Sequence, residues 1–182
     1  MPFYRRFIPD QYASSIQEIR YDELKEQGIT TLFFDLDNTL IAYDEHALSA
    51  RVIALITDIQ KRFKVVIVSN GSRSRVETAL KAFDVNRIWR AKKPLKFGLK
   101  RALKTVSSKA EETALIGDQL MTDVLVSNRL GMKSVLVQPI RRSSDKWVTR
   151  INRWFERMVL NRVRKHAPGL YRERLKDYAD GR

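Results

Sequence analysis

The sequence predicts an α/β fold: a single doubly wound parallel sheet, helices on both faces, and a basic helical extension at the C-terminal end. Three observations predict it. Two apolar, β-branched runs, Thr30 to Leu40 and Val65 to Ser69, are continuous rather than alternating, as strands buried on both faces are. Segments of helical period lie between such runs, and this strand–helix alternation implies right-handed crossovers in a parallel sheet. Polar, chemistry-bearing residues stand where the runs end, the place where open parallel sheets bind their ligands.

Taken in order, residues 1–27 read as a leading turn and a short helix, Tyr12 to Ile19 and then Tyr21 to Gln27, packed on the edge of the domain. The first long run is a strand, and Ala47 to Phe63 follows as a helix through Leu48, Val52, Leu55, Ile56 and Ile59, with Asp44 or Ser49 as its cap. Val65 to Ser69 is the second strand. Ser72 to Phe83 is helical, Arg87 to Trp89 a short strand, Lys96 to Val106 helical and Thr113 to Ile116 a strand. Met121 to Leu130 is a helix that Gly131 can cap, and Lys133 to Val137 is the fifth strand. From Trp147 to Val163 an apolar stripe of Trp147, Ile151, Trp154, Phe155, Met158 and Val159 is interleaved with Arg150, Arg153, Arg157 and Arg162. That stripe either packs on the domain or lies on anionic lipid, with Trp and Phe at the boundary. Pro168-Gly169 ends the helix, and Leu170 to Arg182 is a short basic helix or a loose tail.

At 182 residues the chain supports one hydrophobic core, so residues 1–140 are read as the sheet domain and 141–182 as its extension. The absence of cysteine excludes disulfides, thiolate metal sites and cysteine nucleophiles, and leaves oxygen or histidine to hold any metal. No run approaches the roughly 18–20 apolar residues of a membrane span, and no apolar signal segment follows Arg5 and Arg6. The expected location is cytoplasmic, with peripheral contact at the cytoplasmic face of a membrane left open. Net charge is +14, and residues 141–182 hold 13 Lys/Arg against five Asp/Glu. Such asymmetry fits an anionic partner surface, acidic lipid or nucleic acid, or a simple solvated tail.

The chemistry concentrates at four places. Asp35 and Asp37 leave the first strand together, and like charges on one face of a strand need a cation or a divergence of the chain. A hard divalent ion with oxygen ligands would satisfy them; an ordinary Asx turn is the alternative. Ser69-Asn70-Gly71 ends the second strand with a hydroxyl and backbone donors. Lys93, before Pro94, offers a cation, with Lys92 as its competitor. Gly117-Asp118 and Asp123 open the helix after the fourth strand, where a lone carboxylate could be a cap. His46 and His166 are read as solvated or structural, and Thr39 as steadying the loop after Asp35.

With these residues in this order, the sequence resembles the haloacid dehalogenase (HAD) superfamily. FFDLDNTL, VVIVSNG, AKKP and GDQLMTDV followed by NRLGMKSVLV resemble more closely its subclass IIIA, the YqeG type and the related phosphatidylglycerophosphate phosphatases, over about residues 8–160. The resemblance implies a Rossmann-like HAD fold and a Mg²⁺-dependent phosphomonoesterase. In it Asp35 is the nucleophile and Asp37 the general acid and base, with its carbonyl also touching the metal. Asp35 and Asp118 hold Mg²⁺, with Asp123 as a further ligand or as support behind the ligands, Ser69 and the amide near Asn70 bind phosphate, and Lys93 stabilises nucleophile and phosphoryl group. Neither Leu40 to Val65 nor Asn70 to Arg90 leaves room for a cap domain, so the site is expected to be open and to suit a large or surface-presented phosphate. Phosphatidylglycerophosphate is the substrate the resemblance suggests. The alternatives are a phosphate- or RNA-binding or scaffolding protein with little turnover, and a nucleic-acid-end or phosphoprotein phosphatase.

Overall fold

The computed structural model describes residues 2–141, 143 and 147–181, and only the main chain of residues 147, 148 and 150. In chain order its strands are β1 (Gln11–Ala13), β2 (Thr31–Phe34), β3 (Lys64–Val68), β4 (Asn86–Ile88), β5 (Thr113–Gly117) and β6 (Lys133–Val137). Its helices are α1 (Tyr21–Glu26), α2 (Ala50–Gln60), α3 (Arg73–Ala79), α4 (Phe97–Thr105), α5 (Leu125–Leu130), α6 (Trp147–His166), α7 (Pro168–Arg174) and α8 (Lys176–Asp180). All pairings are parallel and the strand order is β1-β6-β5-β2-β3-β4. The chain runs outward from β2 to β4, then crosses to β5 on the other side of β2, so the order reverses between β2 and β5. Asp35 and Asp118 follow those two strands, and Phe34 pairs with Ile116, which sets both carboxylates at the crevice created by the reversal.

Successive side chains of β2 serve opposite faces. Leu32 and Phe34 join Val52, Ile56, Val76 and Leu80 on one side, while Phe33 joins Leu99, Ala102 and Val126 on the other. Both faces are covered, which is why the run is uninterrupted by polar residues. Ser49, rather than Asp44, caps α2, its Oγ accepting from Val52 N at 3.3 Å. Gly131 ends α5 at φ +74°, as its position after Leu130 predicts.

Two expectations about the elements change. The strand expected to reach Leu40 stops at Phe34, because the amides of Leu40 and Ile41 both turn back to the Leu36 carbonyl and Asn38 adopts φ +65°. The segment Tyr12 to Ile19, expected to be helical, instead supplies β1 and a 3₁₀ turn at Ile16–Glu18. The open edge of β6 accepts it as a sixth strand, Gln11 against Val135, and the Asp10 carboxylate accepts from Ser134 N at 2.9 Å and Ser134 Oγ at 3.0 Å. Of the two forms left open for Leu170 to Arg182 the helical one is found: α7 and α8 fold back, Leu175 and Tyr178 are fully buried, and a third apolar cluster joins them to Ile8, Leu120, Val124, Leu136, Leu160 and Val163.

The largest departure concerns α6. The side chains it buries against the sheet domain are Thr149, Arg153, Glu156, Leu160 and Val163, spaced by four, three, four and three residues. Of the stripe read from sequence, Ile151, Trp154, Phe155 and Met158 face solvent; the side chains of Trp147 and Arg150 lie outside the described residues. The helix therefore docks by a half-polar face and leaves its apolar one outward.

Gly98 shows how closely α4 approaches the loop that carries Lys93. A Cβ there would lie 2.2 Å from the Ala91 carbonyl oxygen and 2.5 Å from its Cα, both backbone atoms that cannot rotate aside. Gly98→Ala is expected to cost about 1–3 kcal/mol of stability, read from the midpoint of urea unfolding, with activity falling further as Lys93 is displaced.

Candidate active site

At the carboxyl ends of the strands lies a cleft of about 340 Å³ lined by Asp35, Asp37, Tyr43, Asn70, Lys93 and Gln119, with Thr149 and Asn152 of α6 on one wall. No cap is inserted between the strands, as expected, yet the cleft is narrower than the sequence implies. Tyr43 Oη and Thr149 Oγ1 meet at 3.2 Å across it, so the C-terminal extension supplies part of its wall.

Asp35 leaves β2 with its amide still donating to Ile116 O at 2.9 Å, so the strand ladder sets its position. Its Oδ1 accepts from Lys93 Nζ at 2.6 Å, and the same ammonium donates to Asp123 Oδ1 at 2.6 Å. Lys93 is buried and Lys92 exposed, so of the two lysines it is Lys93 that meets the carboxylates. Burial alone would depress the Lys93 pKa, but Asp123 and Asp35 outweigh it and hold the ammonium charged. Asp123 sits in a π-helical turn, Leu120–Val124, at the start of α5. It also accepts from Gln119 N and Thr122 Oγ1, each at 3.2 Å.

Asp37 diverges from Asp35. Its Oδ1 is ion-paired to Arg75 Nε at 2.9 Å and its Oδ2 accepts from Ser69 Oγ at 3.3 Å. Arg75 is held in turn by the carbonyls of Ala42 and Glu45. The Asn70 side chain clasps the Lys93 backbone, accepting from its N at 2.7 Å and donating to its O at 2.9 Å. What Asn70 has left for a phosphate is its main chain. Thr39 Oγ1 is buried without a partner, so that hydroxyl does not steady the loop. His46 and His166 are both exposed, and His166 stacks on Tyr4.

Asp35, Asp118 and Asp123 each present a carboxylate oxygen within 4.8 Å of the others, and all three are buried. Asp118 Oδ1 has no hydrogen-bond partner, an arrangement that is costly unless a ligand completes it. Oxygen donors of this kind fit a hard divalent cation. The Asp37 carboxylate lies outside this trio. Burial first, and neighbouring carboxylates second, push Asp35 well above the usual range despite Lys93. Burial likewise takes Asp118 to about 7, against the pull of Arg153.

The family model described as mitochondrial PGP phosphatase matches residues 3–141. The chain belongs to this phosphatase family. It is 36% identical over 160 residues to "Probable phosphatase YqeG" of Bacillus subtilis, covering 87% of this chain and 92% of that protein. It is 26% identical to "Phosphatidylglycerophosphate phosphatase 1, chloroplastic/mitochondrial" of Arabidopsis thaliana, covering 87% of this chain and 49% of the plant protein. A HAD family enzyme of Bacteroides thetaiotaomicron, solved as a magnesium complex, superposes with a TM-score of 0.52 at 12% identity, covering 68% of this chain and 98% of that one. An uncharacterized protein of Listeria monocytogenes superposes at 0.51 with 17% identity, covering 63% and 84%. These structural likenesses show the HAD fold, and the family match makes the protein a phosphatase.

Several residues of this phosphatase were not singled out as site residues from sequence. Arg153 of α6 donates from Nη1 to the Asp118 carbonyl at 2.7 Å and from Nη2 to Asp118 Oδ2. Tyr178 Oη lies 2.9 Å from the same carbonyl and 3.1 Å from Glu156 Oε2, both acceptors within reach of its one proton, while Glu156 Oε1 accepts from Leu120 N at 2.7 Å. All three side chains come from the extension beyond the family match. Arg75 had a local signal, lying just beyond the Ser69-Asn70-Gly71 turn; Arg153, Glu156 and Tyr178 had none.

The raised carboxyls predict a pH dependence for the metal-free phosphatase. Between the ordinary value of 3.8 and about 7, folded Asp118 keeps a proton that the unfolded chain has released. The unfolded state then binds fewer protons, so this group's contribution to stability falls as pH rises through that window. A divalent ion binds the deprotonated form and opposes the fall, so its stabilising effect should grow with pH. Melting temperatures with chelator and with Mg²⁺ across the window, compared with Asp118→Asn, measure this. A slope unchanged in the variant would contradict it.

Proposed function

We propose that the protein is a Mg²⁺-dependent phosphomonoesterase working through an aspartyl-phosphate intermediate on a phosphate presented by a large assembly, phosphatidylglycerophosphate being the leading substrate. The single observation that carries the mechanism is Asp35 on the cleft wall, bonded by Lys93 and grouped with Asp118 and Asp123. The lipid substrate draws on the family's description and on the name of the plant relative. Asp35 Oδ2, the oxygen not held by Lys93, attacks phosphorus in line while the bond to the leaving oxygen breaks. Asp37 delivers a proton to that oxygen through Oδ2, the more weakly held of its two oxygens, then takes one from the water that hydrolyses the acyl phosphate. Lys93 keeps Asp35 oriented and balances phosphoryl charge, and Ser69 with the main-chain amide of Asn70 receives the phosphoryl oxygens. Asp35, Asp118 and Asp123 would hold Mg²⁺, which would supply neutralisation of charge on the transferring group.

The test is phosphate release from phosphatidylglycerophosphate in mixed micelles, set beside soluble phosphate esters, a phosphorylated oligonucleotide and a phosphopeptide, with Mg²⁺ or chelator. Preferential hydrolysis of the lipid, dependent on Mg²⁺, is expected. Faster release from oligonucleotide or phosphopeptide would move the substrate to that class, and equal rates with chelator would remove the metal from the mechanism.

A further inference from the structure

We propose that the outward face of α6 is a docking surface for an anionic lipid bilayer. Ile151, Trp154, Phe155 and Met158 are 46%, 55%, 41% and 47% exposed, and their spacing places them on one face, opposite the buried Thr149, Arg153, Glu156, Leu160 and Val163. Trp154 and Phe155 pack edge to face with ring centroids 4.9 Å apart, so the ridge is a contiguous apolar patch rather than scattered residues. It continues toward the N-terminus, where Phe3 and Tyr4 join Met158 and Val159 around a shallow apolar pocket. Phe3 is itself 68% exposed.

The charge around the ridge selects the occupant. Arg157, Arg162, Arg164 and Lys165 are exposed on the same helix, whose one acid, Glu156, is buried. An apolar ridge of Trp, Phe, Ile and Met flanked by cations and free of exposed acids suits the acyl–headgroup boundary of an anionic bilayer. A nucleic acid would leave Ile151 and Met158 without purpose, since stacking uses aromatic rings alone. Thr149 and Asn152 of the same helix line the cleft on its other side, so a bilayer on the ridge is held to the element that walls the cleft. The inference deepens, and rests on, the reading of a lipid substrate.

The test is co-sedimentation of the full chain with extruded vesicles of phosphatidylcholine alone and of phosphatidylcholine with an equal part of phosphatidylglycerol, following tryptophan emission as well. Binding to the anionic vesicles with a blue shift is expected. Trp154→Ala/Phe155→Ala, whose fold is checked by circular dichroism and melting, should bind at least ~tenfold more weakly, and Trp154→Phe should bind while losing most of the shift. Three results would overturn the proposal: no binding by the wild type, equal binding by the double variant, or a wild-type dimer that the double substitution converts to monomer, which would assign the ridge to a second copy. Micellar hydrolysis separates this from the substrate question. Lipid hydrolysis in micelles without vesicle binding sinks the docking surface alone, while ridge-dependent vesicle binding without lipid hydrolysis upholds it and sinks the substrate.

Discussion

Asp35→Asn is expected to lower phosphate release by a factor on the order of 10⁴ or more while leaving a folded protein. The amide cannot serve as the attacking carboxylate, so the covalent route closes instead of slowing. The substitution also changes the balance of buried charge. Lys93 Nζ sits between Asp35 and Asp123 at 2.6 Å each, and the change leaves Asp123 as its one charged partner of the two. Because burial raises Asp35 well above the ordinary carboxylate range, the neutral amide also relieves a desolvated group. Metal-free stability should therefore change little, or rise. Activity, intact mass after brief exposure to substrate and a melting curve suffice to check this. Trapped phosphate on wild-type protein but not on the variant would support the covalent step, and residual turnover within tenfold of wild type would exclude Asp35 as nucleophile.

Arg153→Ala has the second-largest expected effect, and its effect falls on two properties at once. Arg153 is buried among Asp118, Glu156 and Tyr178. Removing it leaves two carboxylates in a dry site without their cation, a situation that costs about 3–5 kcal/mol. The Asp118 pKa, already about 7 with Arg153 holding it down, would rise further, so the metal would compete with a proton at neutral pH. Mg²⁺ affinity should fall by ~10–100-fold, as it does when an outer partner of a metal ligand is lost, and recover partly at higher pH. Arg153→Lys keeps the charge but not the two-pronged geometry and should lie between. Urea unfolding reports the stability and a Mg²⁺ titration followed by melting temperature reports the affinity. A variant destabilised but unchanged in metal affinity would reduce Arg153 to a structural role.

The contrast between these two residues shows how far local sequence reaches. Asp35, Asp37, Lys93 and Asp118 could be singled out because each stands at the end of an apolar run or beside a proline or glycine that marks a turn, and Asp123 because it follows Asp118 where a helix opens. Arg153 is 35 residues from Asp118, and nothing beside it in sequence signals a buried carboxylate. The periodicity of α6 even points the wrong way. Amphipathicity assigns apolar residues inward because burial of apolar surface usually dominates, but here Thr149, Arg153 and Glu156 are drawn inward by Tyr43, Asp118 and the Leu120 amide, and the apolar residues are left outside. β1 escaped for a related reason. Three residues are too few for a strand pattern, and the segment is extended because β6 offers an unpaired edge.

What the sequence by itself determined is the α/β order of elements, the crevice and the charged residues arriving there, since strand burial and turn chemistry are local properties. Only the tertiary structure decided which side of α6 meets the sheet, what holds Asp118 and Asp37, and how wide the cleft is. Those depend on buried charges meeting across long separations, where the cost of leaving a carboxylate unpaired outweighs the hydrophobic pattern of any one helix.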